Sequence, residues 1–248
     1  MIKRAPHPSG KTIIFEEDRH VYYIDGDEDT CFVSGTTFLH KFAQPFDRDA
    51  VSLRYAQKHG LDQQEVLKQW EEKGRIARDN GTAVHNFAEN LVLGKPVPLD
   101  SKNEKVHRMQ KQAIYAISEL EERFDLIETE KVVAHLPCKI AGMVDLIGRE
   151  KKTGVLWILD YKTNKRIDLQ NQWQIMKPPI NHLQQCNYNE YSLQMNLYRW
   201  IMNEEKYFQE QNYKQALIHI TEDQWQLIEC PDRQKEIKLM VDCYMQDN

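Results

Sequence analysis

The sequence has 248 residues, of which 41% are hydrophobic and 29% are charged, and its formal net charge at pH 7 is -5. A chain of this length can bury a substantial core, while its acidic balance is not that of a general polyanion binder. No apolar run approaches a bilayer span, and the start, MIKRAPHPSGK, lacks the apolar stretch of a secretory signal. We therefore expect an intracellular, cytoplasmic protein without a membrane partner.

The first half of the chain changes from a strand pattern to a helix pattern. Residues 12–15, 20–25 and 31–34 are rich in β-branched and aromatic side chains, which predicts an N-terminal β entry over residues 1–46. Between residues 47 and 124, apolar residues recur three or four apart, and Gly60, Gly74 and Gly81 are expected to separate helices there. We interpret 47–124 as a helical wall or arch.

The second half reads as an α/β core over residues 125–248. Strands are predicted at 130–136, 139–148 and 155–162, then a helix at 183–207, strands at 216–220 and 226–230, and a final helix from residue 232. The polar stretch 164–181 is the best candidate for a mobile loop. We expect one domain, 1–248, with a mixed central sheet flanked by helices.

One acid-x-Lys pair stands out by its position. The sequence contains six such pairs, where chance predicts about three, so the pattern alone is uninformative. Only Asp160 and Lys162 close an apolar strand, VLWILDYK, and alternation places both on the face opposite Trp157, Leu159 and Tyr161. The other five pairs lie in predicted helices or turns, where solvated charge is the ordinary interpretation.

The preceding predicted strand supplies a second acid, Asp145. If the turn holds residues 149–154, Asp145 lies opposite Ile158, on the face that carries Asp160 and Lys162. Two neighbouring carboxylates exceed the charge that Lys162 can offset, which favours a Mg²⁺ or Mn²⁺ site at this strand end. The alternative is a buried Asp-Lys ion pair with Asp145 exposed.

Two helical features support the metal interpretation. In GTAVHNFAE, Gly81 and Thr82 are predicted to start a helix that presents His85 on one face, where it can add a nitrogen ligand. The long second-half helix offers Gln194 and Tyr198, four residues apart, to a phosphate or the edge of the site. Hydrogen bonding of an ordinary histidine and packing of an amphipathic helix are the alternatives.

Taken in order, five short motifs resemble those of the PD-(D/E)XK nuclease superfamily, in particular its RecB-like exonuclease branch. They are Gly81-x3-His85, Glu130, Gly142-x2-Asp145, Asp160-x-Lys162 and Gln194-x3-Tyr198. The runs GMVDLIG and WILDYKTNK are similar to paired strands of phage-type and mitochondrial genome maintenance exonucleases. The resemblance implies a restriction-endonuclease-like core with an N-terminal β-hairpin and a helical insertion, from a bacterial or phage-infected cell.

The resemblance also implies roles for individual residues. Asp145, Asp160 and Lys162 would be catalytic, with Lys162 orienting or activating the water. His85, Asp145, Asp160 and the Tyr161 carbonyl would bind the metal, with Glu130 near a second ion. Expected substrate contacts are Gln194, Tyr198, Thr163, Lys165 and Arg166. Related nucleases carry four cysteines that hold an iron–sulfur cluster, but the five cysteines here lack that spacing, so no cluster is predicted.

These observations predict a metal-dependent exonuclease that hydrolyses single-stranded DNA or duplex ends in replication, recombination or repair, where a protein of those processes would be a partner. A structure-selective endonuclease and an inactive nucleic-acid-binding module are the alternatives. Loop cations, including Lys177, are candidates to steer the DNA backbone. Phe46, Tyr55 and Trp70 are candidates for base stacking, although we expect most of these aromatics in the core.

Overall fold

The computed structural model describes residues 2–246, in which nine strands join one sheet and six helices flank it. In chain order the elements are β1 (Ile2–Pro6), β2 (Thr12–Glu16), β3 (Val21–Ile24), β4 (Asp27–Ser34), α1 (Gly35–His40), α2 (Arg48–His59), α3 (Gln63–Val92), α4 (Glu104–Arg123), β5 (Phe124–His135), β6 (Ile140–Glu150), β7 (Leu156–Lys162), α5 (Asn187–Glu204), β8 (Tyr213–Ile220), β9 (Trp225–Glu229) and α6 (Gln234–Gln246).

The sheet is mixed, as predicted. Its strand order is β1-β2-β3-β4-β6-β7-β8-β9, and β5 pairs with β6 off this path. The pairs β4–β6 and β7–β8 are parallel, and the other pairs are antiparallel. The α/β class and the restriction-endonuclease-like core are therefore confirmed. The N-terminal β entry is larger than a hairpin, because β1 was not predicted and β4 continues into the central sheet.

Helices cover the two faces of the sheet and create two apolar cores. Helices α3 and α4 pack on one face, where they meet the alternate β7 residues Trp157, Leu159 and Tyr161. Helices α1, α5 and α6 pack on the other face, against Leu156 and Ile158 of the same strand. The predicted alternation of β7 is thus confirmed, and the strand is buried on both faces up to Tyr161.

Helix boundaries follow capping side chains more closely than glycines. Asp47 and Asp62 accept N-cap hydrogen bonds at the starts of α2 and α3, and Gly60 ends α2 in the left-handed conformation with φ +64°. Gly74 and Gly81 do not separate helices, because α3 runs through both. The predicted helix start at Gly81 is therefore wrong.

The hairpin of β6 and β7 has a shorter turn than expected. Gly148 pairs with Trp157, and Glu150 N donates to the carbonyl oxygen of Val155 at 2.9 Å, which leaves residues 151–154 in the turn. Each β6 residue is therefore displaced by two positions from the predicted partner. The displacement carries Asp145 from the level of Ile158 to the level of Asp160, at the point where the pairing ends.

The segment that follows β7 is anchored rather than free. Met176 and Ile180 are 1% and 0% exposed, and Ile175 forms a bridge with Gln184. These buried side chains contradict the expectation of a mobile loop over 164–181. All five cysteines are free of disulfide bonds. Within residues 2–246, no helix has both the length and the apolar character needed to cross a bilayer.

Candidate active site

Asp145 lies where β6 and β7 separate. The pairing of these strands stops at Leu146 and Leu159, so the next β7 amide facing β6 needs another acceptor. Asp145 Oδ2 fills this role and accepts a hydrogen bond from Tyr161 N at 3.0 Å. The carboxylate is thus held against the backbone between Asp160 and Lys162.

Asp160 and Lys162 lie on the part of β7 that continues along β8. Asp160 is 3% exposed, and its Oδ2 forms an ion pair with Lys162 Nζ. The ammonium also lies 4.7 Å from the centre of the Tyr191 ring on α5, a cation–π distance. Sequence reasoning missed Tyr191, since only the packing of α5 on the sheet brings it to Lys162.

Burial and neighbouring charges shift the pKa values of Asp145 and Lys162. Burial, followed by the negative charge of Asp160, raises the pKa of Asp145, although His85, Lys162 and the Tyr161 amide oppose the shift. Burial lowers the pKa of Lys162, but Asp160 and Asp145 outweigh it, so this pKa lies above its ordinary value. Lys162 is therefore a protonated hydrogen-bond donor, and this one ammonium faces two carboxyl groups.

Helix α3 brings His85 to the carboxylates. His85 Nδ1 lies 3.4 Å from Asp145 Oδ2, and its ring contacts the Tyr161 ring edge-on at 5.5 Å between centroids. Gly81, one turn earlier, permits this approach because a Cβ there would lie 3.0 Å from Thr163 Oγ1. The structure therefore brings together His85, Asp145 and Tyr161, whose ring is buried in the core.

Glu130 lies beside the carboxylates, at an irregularity in β5. Its neighbours pair with Leu146 and Val144, which places Glu130 at the level of Asp145. Its φ of +46° lies in the left-handed region that non-glycine residues rarely adopt. Its carboxylate forms an ion pair with Lys3 of β1. Lys3 was not identified from the sequence, because β1 itself was not predicted.

Two clefts meet beside these residues. The first, of about 740 Å³, lies between α3 and the N-terminal strands and is lined by His85, Asp145, Glu130 and Thr163. The second, of about 680 Å³, is lined by Thr163, Lys165 and Arg166. Thr163 belongs to both clefts, so the basic turn after β7 leads directly from one to the other. Arg166 also forms an ion pair with Asp168, at 2.8 Å.

Tyr198 is a packing residue in this structure. It is 4% exposed, its hydroxyl accepts a hydrogen bond from Gln194 Nε2 at 3.0 Å, and burial raises its pKa to about 12. Its ring lies over Gly142, where a Cβ would come within 2.3 Å of Tyr198 Cε1. The Gly142 and Tyr198 motif positions therefore form one contact between β6 and α5, and a substrate contact by either Gln194 or Tyr198 stays a prediction.

The aromatic candidates of the helical region are more exposed than expected. Phe46 is 67% and Tyr55 is 43% exposed, while Trp70 is partly buried, which contradicts the expectation that most lie in the core. Their rings form one surface cluster, with Trp70 6.5 Å from Phe46 and 5.8 Å from Tyr55 between centroids. A role in stacking bases stays a prediction for these three residues.

The donor set of the site fits a divalent cation of the Mg²⁺ type. Within residues 2–246, no three His, Cys, Asp or Glu side chains converge into a complete metal cluster. Mg²⁺ does not need one, because it is usually held by one or two carboxylates and keeps several waters. Asp145 and Asp160 supply two such groups, and a bound cation would offset the burial and the repulsion that raise the Asp145 pKa.

One of three comparisons with known proteins identifies a family for this chain. The family model of the PD-(D/E)XK nuclease superfamily matches residues 29–240. The comparison with curated proteins found no significant match. A solved structure described as "Crystal structure of SSO0001" aligns over 87% of this chain and 76% of its own, at 17% identity and a TM-score of 0.34, too low to support any argument. Because the family model spans most of the chain, the protein belongs to the PD-(D/E)XK nuclease superfamily.

Proposed function

We propose that the protein is a Mg²⁺- or Mn²⁺-dependent DNA exonuclease of the RecB-like branch, acting on single strands or duplex ends. Nucleases of this superfamily generally use divalent metal ions such as Mg²⁺. The observation that carries the proposal is the convergence of Asp145, Asp160 and Lys162 at the end of β7. Asp145 accepts a hydrogen bond from the backbone N–H of Tyr161, the residue between the other two, and Asp160 pairs with Lys162. Replication, recombination or repair is the setting that we propose for this activity.

Each residue has a distinct part in the proposed hydrolysis. Asp145 and Asp160 would hold the divalent ion, His85 and the Tyr161 carbonyl would complete its protein contacts, and Glu130 would lie near a second ion. When bound, the metal supplies Lewis acidity and charge neutralisation at the scissile phosphate. Lys162 donates hydrogen bonds to the attacking water or to a nonbridging oxygen, and Thr163, Lys165 and Arg166 contact the DNA backbone.

The first cleft offers room for a nucleotide beside the proposed metal ligands. It has a volume of about 740 Å³ between α3 and the N-terminal strands, which is the size of a pocket for a small molecule. Helix α3 lines this cleft and the first turns of α4 line the second one. These positions support our view of residues 47–124 as a wall that restricts entry, and hence an exonuclease rather than an endonuclease.

Cleavage of end-labelled linear and closed circular single-stranded DNA in Mg²⁺ tests the proposal. We expect digestion of linear DNA, survival of circles, and loss of activity in EDTA. Equal cleavage of circles would establish the endonuclease alternative instead.

Replacing Lys162 with alanine tests the site directly. Loss of a positioned donor to a developing negative charge costs roughly 10²–10³ in rate, so Lys162→Ala should lower cleavage at least about a hundredfold while DNA binding persists. Lys152→Ala is the matched control, since Lys152 belongs to another acid-x-Lys pair, lies exposed in the distal turn of the same hairpin, and should leave cleavage unchanged. Full activity of Lys162→Ala would refute the assignment of the active site.

A further inference from the structure

The segment of residues 163–185, which joins β7 to α5, carries an indole that the protein leaves uncovered. Trp173 is 94% exposed, the highest value among the large hydrophobic side chains of residues 2–246. Leu169 and Ile175 of the same segment are 59% and 50% exposed. A large apolar side chain that is almost fully exposed is a candidate contact with another molecule.

The exposure of Trp173 is built into an anchored backbone. Asn171 N donates to Gln184 Oε1 at 3.1 Å, and Asn171 Nδ2 donates to the carbonyl oxygen of Gln185 at 2.6 Å. Trp173 N in turn donates to Asn171 Oδ1 at 3.0 Å. The backbone of Trp173 is therefore held in place while its indole faces solvent. Less conformational entropy is lost when a partner binds to a residue whose backbone is already ordered.

The same segment runs beside the end of α5 that contacts the site. Asp168 N donates to Asn187 Oδ1, at the start of α5, at 2.7 Å. Tyr191, four residues further and about 6 Å along the helix axis, is the residue whose ring faces Lys162. Trp173 is tied through Asn171 to Gln184 and Gln185, just before the start of α5, the helix whose Tyr191 ring faces Lys162.

The charges of the segment favour nucleic acid over a protein partner. Residues 163–185 contain Lys165, Arg166 and Lys177 but a single acid, Asp168, which pairs with Arg166, in a chain whose net charge is -5. The two remaining cations, Lys165 and Lys177, attract phosphates, and an exposed aromatic ring stacks on an unpaired base. Paired bases do not offer that face, which singles out a single strand.

We propose that Trp173 is a base-stacking contact for single-stranded DNA and that Lys165 and Lys177 follow its backbone. The proposal rests on the proposed nuclease function to the extent that the stacked strand is the substrate. Stacking on one aromatic side chain contributes about five- to 150-fold to affinity. Trp173 therefore sets how tightly the protein holds a single strand, without taking part in the chemistry.

Titration of labelled oligonucleotides by fluorescence anisotropy tests the proposal. An oligothymidylate of about 20 nucleotides exceeds the usual site size. It is titrated with the full chain in EDTA, where a metal-dependent nuclease does not cleave, and with Lys162→Ala in Mg²⁺. Trp173→Ala should weaken binding about five- to 150-fold, and Trp173→Phe should retain most of the affinity. Because the Trp173 side chain is almost fully exposed, the melting temperature of Trp173→Ala should equal that of the wild type.

Tyr115→Ala is the matched control, since it removes an aromatic side chain of α4 that is 59% exposed, and it should bind as the wild type does. Wild-type affinity of Trp173→Ala would overturn the proposal and assign the exposed surface to a protein partner. An equal loss on a fully paired blunt duplex would also overturn it, as would a failure of the unmodified chain to bind single strands in both conditions. Binding that depends on Trp173 without any cleavage in Mg²⁺ would instead refute the nuclease function alone.

Discussion

Replacing Gly142 with alanine should destabilise the protein by about 3 kcal/mol, the upper end of the usual cost of overpacking a core. The added Cβ would lie 2.3 Å from Tyr198 Cε1 and 2.8 Å from both Cζ and the hydroxyl oxygen. Carbon atoms in good contact are about 3.5–4.0 Å apart, so more than an ångström must be recovered. The ring cannot retreat easily, because Gln194 holds its hydroxyl and α5 is packed into the core on either side of it.

Urea unfolding of a double-mutant cycle measures this cost. Gly142→Ala should be costly in the wild type and close to neutral in a Tyr198→Ala background, since the ring that causes the overlap is then absent. Gly74→Ala is the control of opposite sign: its Cβ would meet only the end of the Arg78 side chain at 3.4 Å, and the helix should gain about 0.5–1 kcal/mol. Equal costs of Gly142→Ala in both backgrounds, within about 0.5 kcal/mol, would refute the reasoning.

Two further predictions concern α3 and a buried histidine. Gly81→Ala should push α3 away from Thr163 Oγ1, so single-turnover DNA cleavage should fall at least about tenfold with little change in unfolding free energy. In a Thr163→Ala background, where that oxygen is absent, Gly81→Ala should cause no further loss of rate, and an unaffected rate in the wild-type background would contradict this coupling. Burial lowers the pKa of His135, whose Nδ1 accepts from Cys138 N at 3.2 Å. The contribution of neutral His135 to the free energy of unfolding should therefore be fully present above the unfolded pKa of about 6.5 and should be lost as the pH falls through the lower folded pKa. In His135→Gln the urea midpoint should depend less on pH between about pH 7 and pH 5. An identical pH dependence in the variant and the wild type would exclude His135 as the cause.

Local sequence determined the elements and the chemistry of β7. A continuous apolar run with alternating faces is a property of neighbouring residues, so the strand and the shared face of Asp160 and Lys162 could be predicted without any tertiary contact. The same holds for the helices, whose apolar spacing and capping aspartates lie within one stretch of chain. The predicted turn between β6 and β7 was two residues too long. The prediction therefore placed Asp145 opposite Ile158 instead of at the level of Asp160, but on the correct face of the sheet.

Glycine positions show where local reasoning failed. Gly81 reads as a helix boundary in the sequence, yet α3 continues through it because the apolar face of α3 packs against α4 and the sheet. The lack of a side chain at Gly81 lets α3 approach Thr163, and the lack of one at Gly142 makes room for the Tyr198 ring. Both requirements come from residues more than 50 positions away, which no periodicity within a strand or helix encodes.

The surroundings of the strand end were decided by tertiary structure alone. The contact of Tyr191 with Lys162, the ion pair of Lys3 with Glu130 and the approach of His85 to Asp145 each join separate elements across the sheet. The exposure of Trp173 likewise depends on which side of an anchored segment faces solvent. Residue identity sets what a side chain can do, but the packing of α3 and α5 on opposite faces of the sheet sets what it meets, because contacts between distant residues depend on the whole arrangement of the core.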